Sequence, residues 1–343
     1  MEGVFETSLS GVKLQALAAA AVSAALFAGD AAAADPAPVR MGVVLKALDN
    51  PFFLAIYEGA RAESVRLDVR ATVRSVTTSL DAAGQVAQVR ALVARRHDCY
   101  VVNPITATNL LPALRGVRRP IVNVDSPIDR AAALRAGVRI RTYVGTDDFA
   151  AGRLAGARMA SLLRSGGEVA LVGGPAHNVN GDLRLGGFER GIQGSRVKVV
   201  ARVNADFDRS EAEIAAERIL RAHPRISGLF AASDLMALGV ADALRAAGRT
   251  GGIRVIGLDG SAEALDAVQA GTLSATVSQY PYVMGQMAVE ACAAASRGAA
   301  LPARVDAPIA LLTKDNVARA IRAFPKPFQR YSDPFRRLLR RRG

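Results

Sequence analysis

Polar side chains follow many of the short apolar runs in this chain, at the point where each run ends. The segments concerned are 46–53, 103–104, 123–127, 233–234 and 259–260. Their carboxylates, amides and hydroxyls can exchange hydrogen bonds with a polar ligand. The same residue types also cap helices: Asn50 before Pro51 suits a helix start, and for any single segment this explanation is equally good. Taken together, the segments predict a polar binding site assembled from several loops.

The elements that must position these segments alternate between strand and helix. From Val39 onward, short apolar runs and amphipathic stretches of helical length succeed each other about ten times. We predict strands over 41–45, 71–76, 99–102, 121–124, 169–172, 197–203, 228–231, 254–257 and 276–278. We predict helices over 51–67, 82–95, 149–163, 210–222 and 235–247. Such alternation produces parallel sheets with right-handed crossovers, which bind ligands beyond the carboxyl ends of their strands.

Length and composition favour two α/β domains with aliphatic cores. The 343 residues suit two domains, and only 5% of them are aromatic. The net charge of +13 raises the question of nucleic acid, but residues 326–343 alone hold one Lys and six Arg against one Asp, a net of about +6. We attribute the remaining excess to a general preference for Arg and expect no nucleic-acid partner.

The N-terminal residues 1–34 are typical of a cleaved secretory signal. Lys13 precedes a mostly apolar run over 14–28, and the small residues of 31–34 follow it. The run is too short to be retained as a membrane-spanning helix, and no Cys lies near the predicted cleavage point to carry a lipid anchor. An Ala-rich helix is the alternative. We expect export as a soluble protein.

The reactive residue types form no recognisable catalytic or metal-binding set. Cys99 and Cys292 lack metal-ligand spacing; an oxidising compartment permits a disulfide, but two buried free thiols are favoured. Gly173-Gly174-Pro175 lacks the Lys-Ser or Lys-Thr pair of a phosphate-binding loop, and the three histidines have no paired nucleophile. We therefore expect neither enzyme activity nor a cofactor or metal. A hydrolase on the same α/β layout remains an alternative.

In their order and spacing, these segments resemble the ribose-binding-protein family of periplasmic sugar receptors, over residues 39–313. The motifs that carry the resemblance are Asp49-Asn50-Pro51-Phe52-Phe53, Asn103-Pro104, Ala205-Asp206-Phe207-Asp208-Arg209, His223-Pro224, Ser233-Asp234-Leu235-Met236-Ala237-Leu238-Gly239, Gly257-Leu258-Asp259-Gly260 and Ala275-Thr276-Val277-Ser278-Gln279. The same type I periplasmic binding protein fold forms the ligand core of lactose-repressor-like regulators.

The resemblance implies an α/β protein of two doubly wound parallel-sheet lobes joined by a three-segment hinge. The N-terminal lobe would comprise 39–145 and 280–307, and the C-terminal lobe 146–279 and 308–322. Ligand binding would close the hinge. The basic tail, 323–343, is expected to be a frayed, solvated end, with weak contact to anionic lipid as the alternative.

The resemblance also implies a set of binding residues. The hydroxyl-binding polar residues are Asn50, Asp125, Arg184, Asp259 and Gln279, and the aromatic walls are Phe52, Phe53 and Phe207. Carboxylates and a guanidinium fork suit paired sugar hydroxyls, and flat rings suit the apolar C–H faces of a sugar.

Four positions depart from the ribose receptors, which carry other residue types there. They are Lys46, Ser126, Ser233 and Leu258. We hypothesise that Lys46 donates to an oxygen-rich or acidic ligand such as a polyol, lactone or sugar acid. The alternative is that Lys46 is exposed or paired with an Asp, in compensation for the Arg missing at position 126.

The function implied is capture of a sugar-like solute by a monomer and its delivery to an inner-membrane ABC permease. A lactose-repressor-like regulator is one alternative, but residues 1–38 contain no helix-turn-helix pattern. A receptor of the autoinducer-2 type is another, since those proteins also carry a Lys after the first strand.

Overall fold

The computed structural model describes residues 38–340, which form two six-stranded sheets. In spatial order the first sheet contains β11 (Arg304–Asp306), β5 (Ile140–Gly145), β4 (Ile121–Val124), β3 (Cys99–Val102), β1 (Arg40–Val44) and β2 (Arg70–Arg74). The second contains β12 (Ala310–Leu312), β10 (Ala275–Ser278), β9 (Arg254–Asp259), β8 (Ile226–Ala231), β6 (Gly167–Gly173) and β7 (Val197–Asn204). Neighbouring strands are parallel throughout, except that β12 runs antiparallel to β10.

Helices connect the strands and cover the sheets. They are α1 (Pro51–Arg66), α2 (Ala82–Ala94), α3 (Leu111–Leu114), α4 (Arg130–Arg135), α5 (Asp148–Leu162), α6 (Val179–Ile192), α7 (Arg209–Ala222), α8 (Asp234–Ala246), α9 (Ala262–Ala270), α10 (Pro281–Ser296), α11 (Val317–Ala323) and α12 (Pro334–Arg340). Among these described helices, none is long and apolar enough to cross a membrane. The predicted fold class is confirmed.

The local sequence explains where the elements begin and end. Strands β3 and β4 are buried along their whole length, as expected for strands covered on both faces. Helix starts are fixed by side-chain caps, and the Oδ1 atom of Asn50, for example, accepts from the Phe52 amide at 2.9 Å. Each predicted strand and helix is present within a few residues of its expected bounds. Strands β5, β11 and β12 were not predicted, because β5 interleaves Arg141 and Thr142 with apolar residues and the other two are three residues long.

The chain passes between the two sheets at several points. It leaves the first sheet after β5, returns through α10 after β10, and leaves again between β11 and β12. Helix α10 packs on α1 and on strands β3, β4 and β5. The C-terminal segment adds a further passage, because α11 packs on α9 whereas α12 packs on α10. The predicted signal segment, 1–34, lies outside the described residues.

Cys99 and Cys292 form a disulfide, so the expectation of two free thiols is wrong. Their Cα atoms are 5.8 Å apart although 193 residues separate them in sequence. The bond joins β3 to α10 and fixes that helix to the first sheet. The pairing depends on the return of the chain through α10, which cysteine spacing alone does not reveal.

The C-terminal tail is folded onto the first lobe, so the expectation of a frayed end is wrong for its described part. The Phe335 side chain is fully buried in the main hydrophobic core. The Asp333 carboxylate accepts from the Phe335 and Arg336 amides at 3.0 and 3.2 Å and so starts α12. The Arg336 Nε atom donates to Glu290 Oε1 of α10 at 2.7 Å.

Arg336 meets a group of buried carboxyls that we call the acid cluster, formed by Glu63 of α1, Glu290 of α10 and Asp333. Glu63 and Glu290 are both completely buried. Burial raises the pKa of Glu290 well above its ordinary value, and contacts with Asp333 and Glu63 add to this effect. Burial opposes ionisation of Glu63 as well, but hydrogen bonds with Arg66 and Glu290 and the charges of Arg66 and Arg336 together outweigh it and lower the pKa of Glu63. The tail therefore supplies a polar partner that the first lobe needs.

We predict that Arg336→Met lowers the free energy of unfolding by about 1 to 3 kcal/mol. The change removes the 2.7 Å donor of a buried Glu290 oxygen and leaves it only the longer contact of 3.4 Å with Arg66. Arg337→Met is the matched control: Arg337 is the exposed neighbour on the same helix, and the change should be within about 0.5 kcal/mol. Urea unfolding of both variants measures the difference. Equal stability of the two variants would show that the tail is not docked.

Candidate ligand-binding cleft

The polar segments that follow the strands meet between the two sheets. Lys46 follows β1 and Asp125 follows β4 in the first lobe, whereas Asp259 ends β9 and Gln279 follows β10 in the second. The Asn180 side chain of α6 donates to the Asp125 backbone oxygen at 3.4 Å across the gap. Strand ends from both lobes therefore form the walls of one cleft.

On the first-lobe wall, Lys46, Asp125 and Ser126 form a connected group, which we call the Lys46 cluster. The Lys46 Nζ atom donates to Ser126 Oγ at 2.6 Å and lies 3.8 Å from Asp125 Oδ2. Ser126 Oγ in turn donates to Asp125 Oδ2 at 3.0 Å. Lys46 and Asp125 are 8% and 5% exposed, and burial lowers the pKa of Lys46 although Asp125 opposes the change.

Two aromatic rings adjoin the Lys46 cluster. The Lys46 Nζ atom lies 5.0 Å from the centre of the Phe53 ring, within range of a cation–π contact. Phe52 packs edge-on against Phe53 with ring centres 5.5 Å apart. Both rings are held by the first turn of α1, which Asn50 caps.

On the second-lobe wall, Arg184 of α6 is the centre of a buried network, which we call the Arg184 cluster. Its Nε atom donates to Asp148 Oδ1 at 2.7 Å, one terminal nitrogen donates to the Ala232 backbone oxygen at 2.8 Å, and the other donates to Gln279 Oε1 at 3.1 Å. Gln279 Nε2 donates to Asp259 Oδ1 at 2.6 Å, and that oxygen lies 3.5 Å from Arg184. The charge of this buried guanidinium is thus balanced by carboxylates.

Phe207 closes the second-lobe wall. Its ring centre lies 5.9 Å from the Arg184 guanidinium carbon, and its backbone adopts a left-handed conformation with φ of 59°. The ring lies directly against Gly174, where a Cβ atom would come within 2.3 Å of the Phe207 Cζ atom. Gly174 is therefore required by this close approach, which explains the glycine turn without a phosphate-binding role.

The electrostatics of the cleft are balanced. Burial raises the pKa of Asp148 to about 6, although Arg184 opposes the rise, and burial raises the pKa of Asp259 well above its ordinary range. The cations Lys46 and Arg184 face these two carboxyls and Asp125. The cleft holds no cation without an acidic neighbour among the described residues, so it has no surplus of positive charge for an anionic ligand.

Asn103 presents unused hydrogen-bonding capacity at the end of β3, between the strands that carry Lys46 and Asp125. Its side chain is completely buried, and neither its Nδ2 nor its Oδ1 atom has a partner in the protein. Unpaired buried amide atoms are costly, so a polar guest at this position would stabilise them. The residues 38–340 contain no cluster of His, Cys, Asp and Glu that could hold a metal ion.

Comparison with known proteins identifies the family. The family profile described as "Periplasmic binding protein domain" matches residues 41–300. The chain belongs to the periplasmic binding protein family. The D-allose-binding periplasmic protein of Escherichia coli (strain K12) is 34% identical over 254 residues, covering 73% of this chain and 82% of that protein. The ribose import binding protein RbsB of Bacillus subtilis (strain 168) is 30% identical over 278 residues, covering 80% and 87%.

A solved structure supports the same conclusion. An ABC transporter periplasmic solute binding protein from Actinobacillus succinogenes 130z with bound D-allose matches with a TM-score of 0.79 at 27% identity. The match covers 82% of this chain and 99% of that one. The two-lobed fold of this binding protein is therefore that of solute-binding proteins of ABC transporters.

The structure of this binding protein brings most of the predicted site residues together. Those that line the two walls are Lys46, Phe52, Phe53, Asp125, Ser126, Arg184, Phe207, Asp259 and Gln279. Asn50 and Ser233 are engaged as helix caps, of α1 and α8 respectively. The expectation that Leu258 lines the site is wrong. Its side chain is fully buried in the second-lobe core with Phe230 and Val277, because successive side chains of β9 alternate between faces.

Sequence reasoning did not single out Asp148, which contacts Arg184, or Asn180, which reaches Asp125 across the cleft. Asp148 follows β5, a strand that was not predicted, and α6, which carries Asn180, was not predicted either. Asn103 was recognised as part of a motif but not assigned to the site. Its place directly after a buried apolar strand was the signal that could have identified it.

We predict that Asp148 makes stability depend on pH. Folding raises the pKa of Asp148, so its ionisation as the pH rises from about 4 to about 6 lowers the stability of the wild type. Asp148→Asn cannot ionise and keeps its stability over this range. The free energy of unfolding of the variant minus that of the wild type should rise by about 2 kcal/mol across this range. Chemical unfolding at stepped pH measures the difference.

Asp147→Asn serves as the control, because Asp147 is exposed and an Asn caps α5 equally well. A flat difference curve for Asp148→Asn, no steeper than that of the control, contradicts the assignment.

Proposed function

We propose that this binding protein captures a neutral monosaccharide or polyol in the cleft and delivers it to an inner-membrane ABC permease. The observation that carries the proposal is the Arg184 cluster, which faces the Lys46 cluster and the Phe52 and Phe53 rings across one cleft. Paired hydroxyls of a sugar fit the carboxylates of Asp125 and Asp259, and the C–H faces of a sugar ring fit the aromatic rings.

The charge balance of the cleft favours a neutral ligand over the acidic ligand that the sequence suggested as a partner of Lys46. Lys46 is held by Ser126 and Asp125, in keeping with the paired alternative for this residue. A carboxylate guest would have to compete with Asp125 for Lys46 or with Asp148 for Arg184. A neutral guest can accept from Lys46 and donate to Asp125 without displacing either contact.

The relatives support the same class of ligand. The names of two curated relatives state D-allose and ribose, and the solved structure described above contains D-allose. Asn103 extends the proposed site, since its unpaired amide can both donate to and accept from one ligand hydroxyl. We infer that the polyhydroxy part of the ligand is an aldose unit or a cyclic polyol of similar size.

The setting of this function follows from the family and from the N-terminal sequence. We infer that residues 1–34 are removed during export and that the mature protein acts in the periplasm as a monomer without enzymatic activity. The permease is a partner inferred from the family. Since Arg336 is used to dock the tail, any contact of α12 with anionic lipid would rest on the exposed Arg337 and Arg340.

A thermal-shift screen with calorimetric follow-up tests the proposal. We predict that the chain starting at Asp35 is stabilised by D-allose, D-ribose or myo-inositol, and not by gluconate or galacturonate, because only a ligand that binds the folded state raises its melting temperature. Asp259→Asn should weaken binding of the best ligand at least tenfold, or about 1.4 kcal/mol. Asp266→Asn, an exposed position on α9, should leave affinity unchanged.

A preference for the sugar acids would contradict the charge argument. If the protein is well folded and no compound of the panel raises its melting temperature, the proposed ligand class is wrong.

A further inference from the structure

A second cavity lies beside the cleft, between the two lobes and next to the hinge; we call it the hinge cavity. Its volume is about 230 Å³, and it is partly open to solvent. Its walls come from the first turns of α1, the start of α9, the hinge segment around Tyr280 and the crossing of the C-terminal tail at Phe324.

We propose that the hinge cavity binds a small, uncharged apolar substituent of the ligand, so that the physiological ligand is a glycoside with an apolar aglycone. This inference rests on the proposed function and deepens it.

The hinge cavity and the cleft share two residues, Phe52 and Asp259. Both residues line the hinge cavity, and both belong to the walls of the cleft. Phe52 also packs edge-on against Phe53, whose ring faces Lys46 in the cleft. A sugar held by Asp259 and Phe53 therefore has one side directed at this cavity.

Polarity changes along the hinge cavity. The exposed side chains of Glu58 and Lys326 also belong to the lining, but its buried polar groups lie near Asp259. There, Asp259 Oδ2 accepts from the Asp234 amide at 3.3 Å, and Asp234 Oδ2 accepts from the Gly260 and Ser261 amides at 2.7 Å. The other Asp234 oxygen accepts from Thr276 Oγ1 at 2.6 Å. Asp234 thus already has its partners, so this end of the cavity does not call for a charged guest.

The rest of the lining is mainly apolar and comes from both lobes. Leu54 and Ala55 of α1 face Leu265 of α9, Leu312 of β12 and Phe324 of the tail. Leu54 and Phe324 are large apolar side chains left 39% and 44% exposed. An apolar guest would cover both side chains and remove this exposed surface from water.

Both ends of the proposed ligand would contact both lobes. The sugar would contact the Lys46 and Arg184 clusters, and the aglycone would contact α1 on one side and α9 with the tail on the other. Each contact is complete only when the lobes are together, so an aglycone of the right size should add to the preference for the closed form.

Calorimetry with two free sugars and their glycosides tests the inference. The probes are D-allose and D-ribose with their methyl and phenyl glycosides in both anomeric forms. For at least one anomer, the phenyl glycoside should bind about tenfold tighter than the methyl glycoside, since a buried phenyl ring removes more apolar surface from water. Leu54→Asp should abolish this gain and change the affinity for the methyl glycoside less than about twofold.

Leu134→Asp is the matched control, because Leu134 is an exposed leucine of the first lobe outside the hinge cavity and should leave the gain intact. If the free sugars bind but the phenyl glycosides bind no tighter than the methyl ones, the inference is wrong and the proposed function stands. A gain that survives Leu54→Asp also overturns it. If neither free sugar nor any glycoside binds, the inference fails together with the choice of sugar.

Discussion

A buried guanidinium is the constraint on which the rest of the site depends. Arg184 is 5% exposed, and an isolated cation in such a place would be strongly disfavoured. It is stabilised only because Asp148, Gln279, Asp259 and the Ala232 carbonyl all reach it. These partners come from four different parts of the second lobe, so the lobe must fold as a unit before the site exists.

The positions of these partners link the site to the hinge. Asp148 follows the first passage between the sheets, and Gln279 ends the second-lobe segment just before the chain returns through Tyr280. The Arg184 cluster is therefore anchored at two of the passages about which the lobes would move. The first lobe is stiffened separately, by the disulfide between β3 and α10 and by the acid cluster under α12. Two internally braced lobes, joined beside the ligand, are suited to motion as rigid bodies.

Much of this architecture could be predicted from the sequence, because strands and helices carry local patterns. The apolar runs over 99–102 and 121–124 gave the strand bounds, and the polar residues after them gave Asp125 and Ser126. The features that were missed depend on contacts between distant segments. Neither the disulfide nor the docking of Phe335 has a local signal, since both require α10 to return to the first sheet. Leu258 was misplaced because a motif position does not specify which face of a strand a side chain occupies.

The most direct test of the account is to identify what the protein carries when it is isolated from its own periplasm. Native mass spectrometry of the gently purified protein, followed by release and analysis of any bound compound, makes that measurement. We predict one molecule of an uncharged polyhydroxy compound for each chain, released on unfolding. A bound sugar acid, amino acid or other charged solute would contradict the central claim that the Arg184 and Lys46 clusters form a balanced site for a neutral sugar.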